Sequence, residues 1–582
     1  MPKKDNPLVL GMVYGAHDTA AALMKGGEIL AACEQERYSL VKHCRDFPSD
    51  AIEDCLRLGG VELTDVDEIG FCNDPLHYIR ENYLKTALKD DERIGFMIKD
   101  FDRIERAYQM ENLVREHTGY QGPVNFHRHH LCHLASAYYP SGFDECLLAC
   151  YDGMGEFQTG MLGIGRKGDI EIVHPGADYP HSLGLVYSAM TYYLGFQHHC
   201  DEGIVMGLAP YGDADATVPG TERSYYEVFE EIIRETGPLD YEINTDWLAY
   251  YRVRDTWIEE KFTDMFGPKR ERDSEITDAH KNLAAALQKR LETIICNQLI
   301  HARDTYNIHR LAVSGGVGLN CSMNGKIESA GIFDEIFVQP ASGDSGTAVG
   351  ACYQSLKNQG FELQTAQWHD FYLGSGFDDN DVESASADCG VPMERQSDIY
   401  SYTAEKLAEG KIIAWFQGRS EFGPRALGNR SILTRPYPAE MKDYLNARVK
   451  FREYFRPFAP AVLAEHVDAY FQIGQESPHM LIACQAQPDK ASDIPAVVHT
   501  DGSCRVQTVK SENNPRFRKL LEAFHAKTDC PVLLNTSFNV KGQPIVNTPK
   551  QAIECFASTN IDVLIVGDYA AEKDAAVSSN AA

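Results

Sequence analysis

Two histidines, His129 and His133, stand four residues apart with His130 between them. Leu134, Ala135, Ala137 and Tyr138 carry the apolar spacing of a helix that begins near Leu131. On such a helix both imidazoles fall on one face. That spacing suits one metal ion. The apolar run 145–151 is too short for an exposed helix and predicts a buried strand that delivers Asp152 at its end, where Gly153 and Gly155 turn the chain. Two neutral nitrogens and a carboxylate, with positions left open, fit Fe(II), Mn(II) or Zn(II). A histidine-rich loop without metal is the competing reading of this stretch alone.

Further along, the strand 336–338 leads into Pro340-Ala341-Ser342-Gly343-Asp344-Ser345-Gly346, which presents a second carboxylate, Asp344, at a strand end. Gly343-Asp344-Ser345-Gly346 mimics a serine-protease fragment, but the chain has neither that family's histidine context nor a secretory signal.

Phosphate chemistry is suggested twice. Leu311 to Ser314 reads as a strand, followed by Gly315, Gly316 and Gly318 and a helix entered near Leu319 and Asn320. Glycines there let backbone amides approach a phosphate, and a helix N-terminus adds partial positive charge. The second signal is a basic run. Nine basic residues lie between Arg419 and Arg456: Arg419, Arg425, Arg430, Arg435, Lys442, Arg448, Lys450, Arg452 and Arg456. Gly423-Pro424 and Gly428 interleave with them, which favours a phosphate cradle over a solvated face, because arginine forks hold phosphate bidentately and lysine adds a point charge. Arg505 and the stretch 534–542, with Ser537 and Lys541, add hydroxyls, amides and further cations.

These groups need scaffolds. With 582 residues and 43% hydrophobic content, the chain holds two or more domains. Residues 8–14 read as a strand, Gly15 to Thr19 as a tight turn containing His17, and 20–24 as the returning strand. The same strand-turn-strand plan recurs from Glu145 through the Asp152–Glu156 turn. The repeat predicts a duplicated ribonuclease-H-like α/β fold, whose paired hairpin turns face a ligand cleft. Residues 222–305 read as a helical insertion and 359–376 as a linker. The second domain then opens with a helix over 403–407 and a strand over 411–416. From Ala570 on, the composition is that of a disordered tail.

Net charge −30 repels nucleic acid, so tRNA and DNA are poor substrates on this ground. No run of eighteen apolar residues appears, and the start MPKKDNPLVLG lacks a long apolar region, so no membrane association and a cytoplasmic location are expected. Sixteen cysteines without a paired framework predict buried thiols.

Taken in order, several motifs resemble the ATP-dependent O-carbamoyltransferases of antibiotic, Nod-factor and toxin biosynthesis. They are His17-Asp18, His129-His130-x-x-His133, Pro180-His-Ser-Leu-Gly184, Met206 to Gly212, Gly315 to Asn320, Glu421 to Ser431, Arg456 to Pro460 and Asn535 to Asn539. The resemblance covers nearly the whole chain. It implies an ASKHA domain of TsaD/Kae type over 1–358, a linker over 359–376 and a YrdC-like twisted α/β domain over 377–582.

It also implies a reaction in two stages. Carbamoyl phosphate loses phosphate in the second domain, and the carbamate attacks ATP, with magnesium, to give carbamoyl-adenylate and pyrophosphate. In the first domain a small-molecule hydroxyl takes the carbamoyl group and AMP leaves. On this resemblance His129, His133, Asp152 and Asp344 hold Fe(II) or another divalent metal, with His130 beside them. Gly315, Gly316 and Asn320 lie at nucleotide phosphates, and His17 acts on the acceptor hydroxyl. Arg425, Arg430, Lys450, Arg456, Arg505 and Ser537 hold carbamoyl phosphate and ATP.

Ile204 departs from the lysine of many relatives. Asp201 and Glu202 point to a cationic acceptor, His198 and His199 line a loop, and a homodimer is the assembly expected. The competing functions are a threonylcarbamoyl-adenylate-forming, tRNA-modifying enzyme and a non-catalytic nucleotide-binding protein on the ASKHA fold.

Overall fold

The structure is a computed structural model and describes residues 5–15, 17–88, 92–253, 255–368 and 371–573. Contacts divide the chain into two compact units, Met1–Ala32 with Arg45–Trp368, and Cys33–Cys44 with His369–Ala582.

The first unit contains the same sheet twice. Strands β1 (Leu8–Val13), β2 (Ala20–Lys25), β3 (Glu28–Glu34), β4 (Glu68–Phe71) and β5 (Val124–Phe126) lie in the order β3-β2-β1-β4-β5. β1 runs antiparallel to β2 and parallel to β4, which is parallel to β5. Strands β6 (Glu145–Tyr151), β7 (Gly160–Arg166), β8 (Asp169–His174), β9 (Arg310–Ser314) and β10 (Glu335–Val338) lie in the order β8-β7-β6-β9-β10. Here β6 is antiparallel to β7 and parallel to β9, which is parallel to β10. The order repeats strand for strand, and the directions around β1 and β4 recur around β6 and β9, in line with the duplication read from the sequence. Every residue of β1 is buried, as expected for a strand covered on both faces.

Four helices position the chemistry of this unit: α1 (His129–Ser141), α2 (Asp278–Tyr306), α3 (Cys321–Ser329) and α4 (Thr347–Asn358). All but one residue of α1 is buried, because α1 packs on β6, β7 and β9 on one side and on α4 on the other. In turn, α4 covers β1, β2 and β4. The α1–α4 contact is close because residue 350 is glycine: a Cβ there would stand 1.9 Å from the Cys132 carbonyl oxygen. α1 and α4 thus form a shared layer between the two sheets, and the histidines of one helix come near the Asp344 turn that starts the other.

The expected insertion over 222–305 does hold helices, Tyr225–Ile232 and α2, but also a hairpin of strands Ile233–Glu235 and Tyr241–Ile243. Three-residue strands carry too little alternation to be read from sequence.

The second unit is built on one eight-stranded mixed sheet. Its strands are β11 (Glu394–Arg395), β12 (Ile413–Phe416), β13 (Arg430–Thr434), β14 (Ala459–Leu463), β15 (Gln507–Val509), β16 (Val532–Ser537), β17 (Val563–Val566) and β18 (Tyr569–Glu572), in the order β11-β18-β17-β12-β13-β16-β14-β15. Helices α5 (Ile399–Ala408) and α6 (Pro515–Thr528) pack together beside it. α6 starts with Pro515 at its first position and with the Asn514 side chain accepting from the Phe517 amide, which satisfies one of the free N–H groups of the first turn. Trp415, Phe517 and Leu533 are among the fully buried side chains of this core.

Two boundaries differ from expectation. Residues 33–44, expected with the first unit, cluster with the second, because Arg37 is buried there, bonded to Glu34 and to the Gly423 carbonyl oxygen at 2.6 Å. Ala570, Ala571 and Glu572, expected in the tail, belong to β18, whose pairing with β17 places their backbone in the sheet. The rest of the expected tail, 574–582, lies outside the described residues.

The stretch 359–376 divides at Trp368. Ala366 and Trp368 donate backbone hydrogen bonds to Tyr139 and Pro140 of the first unit, and Gly374 donates one to Ser420 of the second. All sixteen cysteines are free thiols and thirteen are buried. Among the described residues no helix is long and apolar enough to cross a membrane.

Candidate metal centre and anion cradle

In the first unit, His129 and His133 lie on the first turns of α1, Asp152 follows β6, and Asp344 opens the turn before α4. One ligand atom from each of the four lies within 4.8 Å of all the others. The two Nε2 atoms are 3.1 Å apart. His129 Nε2 is 3.2 Å from Asp152 Oδ2 and 3.6 Å from Asp344 Oδ1, and His133 Nε2 is 3.8 Å from both oxygens. Ligands about 2.1 Å from one ion stand roughly 3 to 3.5 Å apart, so a divalent metal fits with small side-chain adjustment. Two imidazole nitrogens and two carboxylate oxygens suit Fe(II), Mn(II) or Zn(II) alike.

Each carboxylate is held by its other oxygen. Asp152 Oδ1 accepts the Gly316 amide at 3.0 Å, and Asp344 Oδ2 accepts the His17 amide at 3.0 Å. Glu156, fully buried, accepts the amides of His129 at 2.8 Å and Asp74 at 3.1 Å, and so pins the start of α1. Nothing in the sequence pattern marked Glu156; its position in the Asp152–Glu156 turn was the only signal.

Electrostatics couple the four residues. Burial works against charge on His129, but the hydrogen bond to Asp152 and the charge of Asp344 raise its pKa well above the usual imidazole value. Burial would raise Asp152, yet the His129 hydrogen bond and the charges of the neighbouring imidazoles hold it well below the carboxylate range. Asp344 is lowered in the same way, against its burial, by the His133 hydrogen bond. His130, its Nε2 3.7 Å from Asp152 Oδ2, is driven the other way by burial and then by the charge of His129, and stays neutral.

A pH dependence follows with a definite sign. In the metal-free protein the His129 contribution to stability is complete below the ordinary imidazole value and is lost as pH rises through the raised one. The carboxylate contributions are complete above the ordinary carboxylate value and are lost as pH falls through the lowered ones. The cluster therefore stabilises the metal-free fold most between about pH 4 and about pH 6.5. A metal must displace the His129 proton, so its affinity should rise with pH and binding should release about one proton in that window. Calorimetry of metal binding in two buffers of different ionisation enthalpy reads this number; a value of zero would contradict the geometry.

The glycine turn expected at phosphates has other duties as well. Gly315 takes φ +87°, and a Cβ there would lie 2.2 Å from the Tyr151 carbonyl oxygen, so only glycine permits this turn out of β9, packed against the strand end that bears Asp152. Gly316 gives its amide to Asp152. The Asn320 side chain caps α3 by accepting from the Met323 amide at 2.9 Å and exchanges two hydrogen bonds, at 2.9 and 3.0 Å, with Gln288 of α2. Asn320 thus spends its side chain on positioning the helix, a use that a strand-glycine-helix pattern does not disclose.

In the second unit the basic run divides by direction. Arg430 is fully buried over the Phe416 ring, 3.5 Å from its centroid. Its guanidinium donates to the carbonyls of Gln417, Asn429, Ser375 and Gly418. Placed among the phosphate holders on the resemblance, Arg430 instead gives its four NH1 and NH2 bonds to backbone, since it starts β13 with its side chain toward the core. Glu421 organises the same loop: one carboxylate oxygen accepts the amides of Leu427, Asn429 and Arg430 at 2.8, 2.9 and 3.0 Å. Arg425 lies at the partly exposed tip that this arrangement holds out.

Lys450, Arg456, Arg505 and Ser537 do come together. Lys450 is buried, and its Nζ donates to Asn539 Oδ1 at 2.8 Å, to the Asn539 carbonyl at 3.1 Å and to the Ser537 carbonyl, with Ser537 Oγ at 3.4 Å. Its pKa is pushed well below the usual lysine value by burial and then by the Arg452 charge. Arg452, stacked 4.1 Å from the centre of the Phe458 ring, is itself lowered by burial, Arg456 and Arg505. Glu453 answers part of this charge, 3.6 Å from Arg456 and 3.7 Å from Lys541. Lys450, Arg452, Arg456 and Arg505, whose charge Glu453 answers only in part, form a cradle that an anion completes. Arg452 and Asn539 belong to it; the sequence counted Arg452 in the basic run and Asn539 in a motif, and gave neither a role of its own.

Residues 8–353 match the family described as "Carbamoyltransferase N-terminus" and residues 404–573 match "Carbamoyltransferase C-terminus". An uncharacterised protein of Synechocystis sp. is 36% identical, across 97% of this chain and 97% of its own. The nodulation protein NolNO of Sinorhizobium fredii is 36% identical, across 96% of this chain and 79% of its own. A 3'-hydroxymethylcephem-O-carbamoyltransferase of Amycolatopsis lactamdurans is 29% identical, across 95% of this chain and 97% of its own.

Proposed function

The chain belongs to the carbamoyltransferase family, and from that premise we propose that it is an ATP-dependent O-carbamoyltransferase acting on a hydroxyl of a small natural product. The observation that carries this reading is the match of both halves, in order, together with similarity along 95% of the chain to a relative named for O-carbamoyl transfer. On this proposal the first unit is of TsaD/Kae type and the second YrdC-like. The partners are small molecules: carbamoyl phosphate, ATP with magnesium, and the acceptor.

In the second unit, Lys450, Arg456, Arg505, Arg452 and Ser537 bind phosphate oxygens, with Arg425 reaching in from the loop tip. Their charge favours departure of phosphate as water adds to the carbonyl carbon of carbamoyl phosphate and leaves carbamate, and departure of pyrophosphate as a carbamate oxygen attacks the α-phosphorus of ATP. The carbamoyl-adenylate formed is consumed in the first unit. There His17 removes the proton of the acceptor hydroxyl, the oxygen adds to the carbamoyl carbon, and the C–O bond to AMP breaks. His129, His133, Asp152 and Asp344 would hold a divalent ion, which would supply fixed positive charge for phosphate and carbonyl oxygens. His17 is tied to that cluster, because its amide bonds Asp344.

His17→Ala should keep pyrophosphate release from ATP and carbamoyl phosphate and lose about 10²- to 10⁴-fold in carbamoyl transfer, the usual worth of a general base. Mass spectrometry of a panel of hydroxyl compounds, seeking the carbamoyl increment, reads the second quantity. Equal loss of both would remove the two-stage division.

A further inference from the structure

In the second unit the long loop 417–429 joins β12 to β13, and its ends are fixed by strand pairing, with Phe416 opposite Arg430. Its tip, which carries Arg425, is held from a distant part of the chain. Residues 33–44 cluster with this unit, and Arg37, in the short helix Glu36–Ser39, is 3% exposed there. Arg37 donates to Glu34 Oε2 from Nε at 3.1 Å and from Nη2 at 3.0 Å. The same Nη2 donates to the Gly423 carbonyl, 386 residues along the chain, at 2.6 Å. Glu34 Oε2 also accepts the Gly423 amide, at 3.4 Å. One ion pair thus takes both backbone groups of Gly423, as a neighbouring strand would.

Gly423 stands at φ +119°, where glycine alone is unstrained, and a residue with so free a choice of φ needs outside bonds to keep one value. Pro424 follows, and its ring-locked φ passes the orientation of the Gly423 peptide on to Arg425. Tyr38 braces the base of the same loop, its hydroxyl 3.2 Å from Ser375 Oγ, while the Ser375 carbonyl accepts Arg430 at 3.0 Å and the Ser420 amide at 2.9 Å. Burial works against the Arg37 charge, but Glu34 and then Glu36 and Glu421 outweigh it and raise its pKa. Buried ion pairs contribute little net stability over apolar packing of the same volume, so what this one adds is a fixed peptide at residue 423.

We propose that Arg37 is a positioning residue for the first stage of the reaction: with Glu34 it fixes the Gly423 peptide, and so the direction in which Arg425 projects to the phosphate of carbamoyl phosphate. The inference rests on the O-carbamoyl transfer reading. Arg37 itself touches no substrate.

The test is calorimetric titration of inorganic phosphate into the full-length protein and into Arg37→Lys, Arg425→Ala and the variant carrying both. Lysine keeps a positive charge but lacks the fork that reaches Glu34 and Gly423 together. Arg37→Lys should weaken phosphate binding about 10-fold, because a tip that populates several directions binds in proportion to its competent fraction. In the Arg425→Ala background the same substitution should cost less than about 2-fold, since the side chain it positions is gone. Should Arg37→Lys fail to fold, Glu34→Met with Arg37→Met removes both charges, leaves neither uncompensated and should show the same dependence on Arg425.

Equal phosphate affinity in wild type and Arg37→Lys would overturn the proposal, and so would a loss that recurs in full when Arg425 is absent. Pyrophosphate release from ATP and carbamoyl phosphate, followed in the same preparations, separates the two readings. Release with uncoupled losses removes only the role of Arg37; coupled losses without release in the wild type remove the parent activity.

Discussion

Lys450→Met is expected to lower pyrophosphate release from ATP and carbamoyl phosphate by about 10²- to 10³-fold, the usual cost of one preorganised donor aimed at developing charge. The reason lies in what surrounds Nζ. Three oxygens of Ser537 and Asn539 orient it within hydrogen-bond distance, none of them a carboxylate, while Arg452 and Arg456 add like charge nearby. A phosphate entering this cradle supplies the missing negative charge, and binding should draw a proton onto any Lys450 left neutral by burial. Methionine keeps the apolar stem and most of the volume but removes the donor, so loss of activity with an unchanged unfolding midpoint would assign the effect to the charge. A variant that still releases pyrophosphate at the wild-type rate would move the phosphate site elsewhere.

The second large effect is expected at Asp152. Asp152→Asn keeps the shape and an oxygen able to accept the Gly316 amide, but removes the charge that faces His129 at 3.2 Å and His133 at 3.8 Å. Loss of a partner that merely supports a ligand costs about 10- to 100-fold in metal affinity, and a ligand itself should cost no less. Purified Asp152→Asn should therefore hold little divalent metal after dialysis, read by plasma mass spectrometry, and should yield no carbamoylated product. Pyrophosphate release, assigned to the other unit, should persist. Full metal content in this variant would exclude Asp152 from the centre, whatever its activity.

Some of this was legible early. Three members of the metal cluster could be assembled from local rules, two histidines at helical spacing and Asp152 at the end of an apolar strand, while Asp344, six residues beyond its strand, was added to them by the resemblance. The direction of a helix face and the place where a strand ends are set by nearby residues, so these inferences survived folding. The repeated strand-turn-strand units were likewise visible as local pattern. By contrast, Arg425, Arg430, Arg452 and Arg456 are one residue type in one run, yet Arg430 gives its NH groups to four carbonyls while Arg452 joins Arg456 and Arg505 around an anion cradle. No spacing rule separates them, because the separation depends on strand pairing and on which carbonyls that pairing leaves beside each guanidinium.

Asp201 and Glu202 show a related limit. Their charge suggested a cationic ligand, and the fold adds hydrogen bonds from Gln197, His199 and Ser188 through which they also shape their loop. Composition, periodicity and ordered motifs were enough to establish two catalytic-looking stretches on α/β scaffolds and the chemistry their side chains favour. Folding settled which polar groups are spent on holding the protein together and which remain turned toward a ligand. A hydrogen-bond partner brought from more than a hundred residues away, such as Gly316 for Asp152 or Asp344 for His17, leaves no trace in the neighbouring sequence.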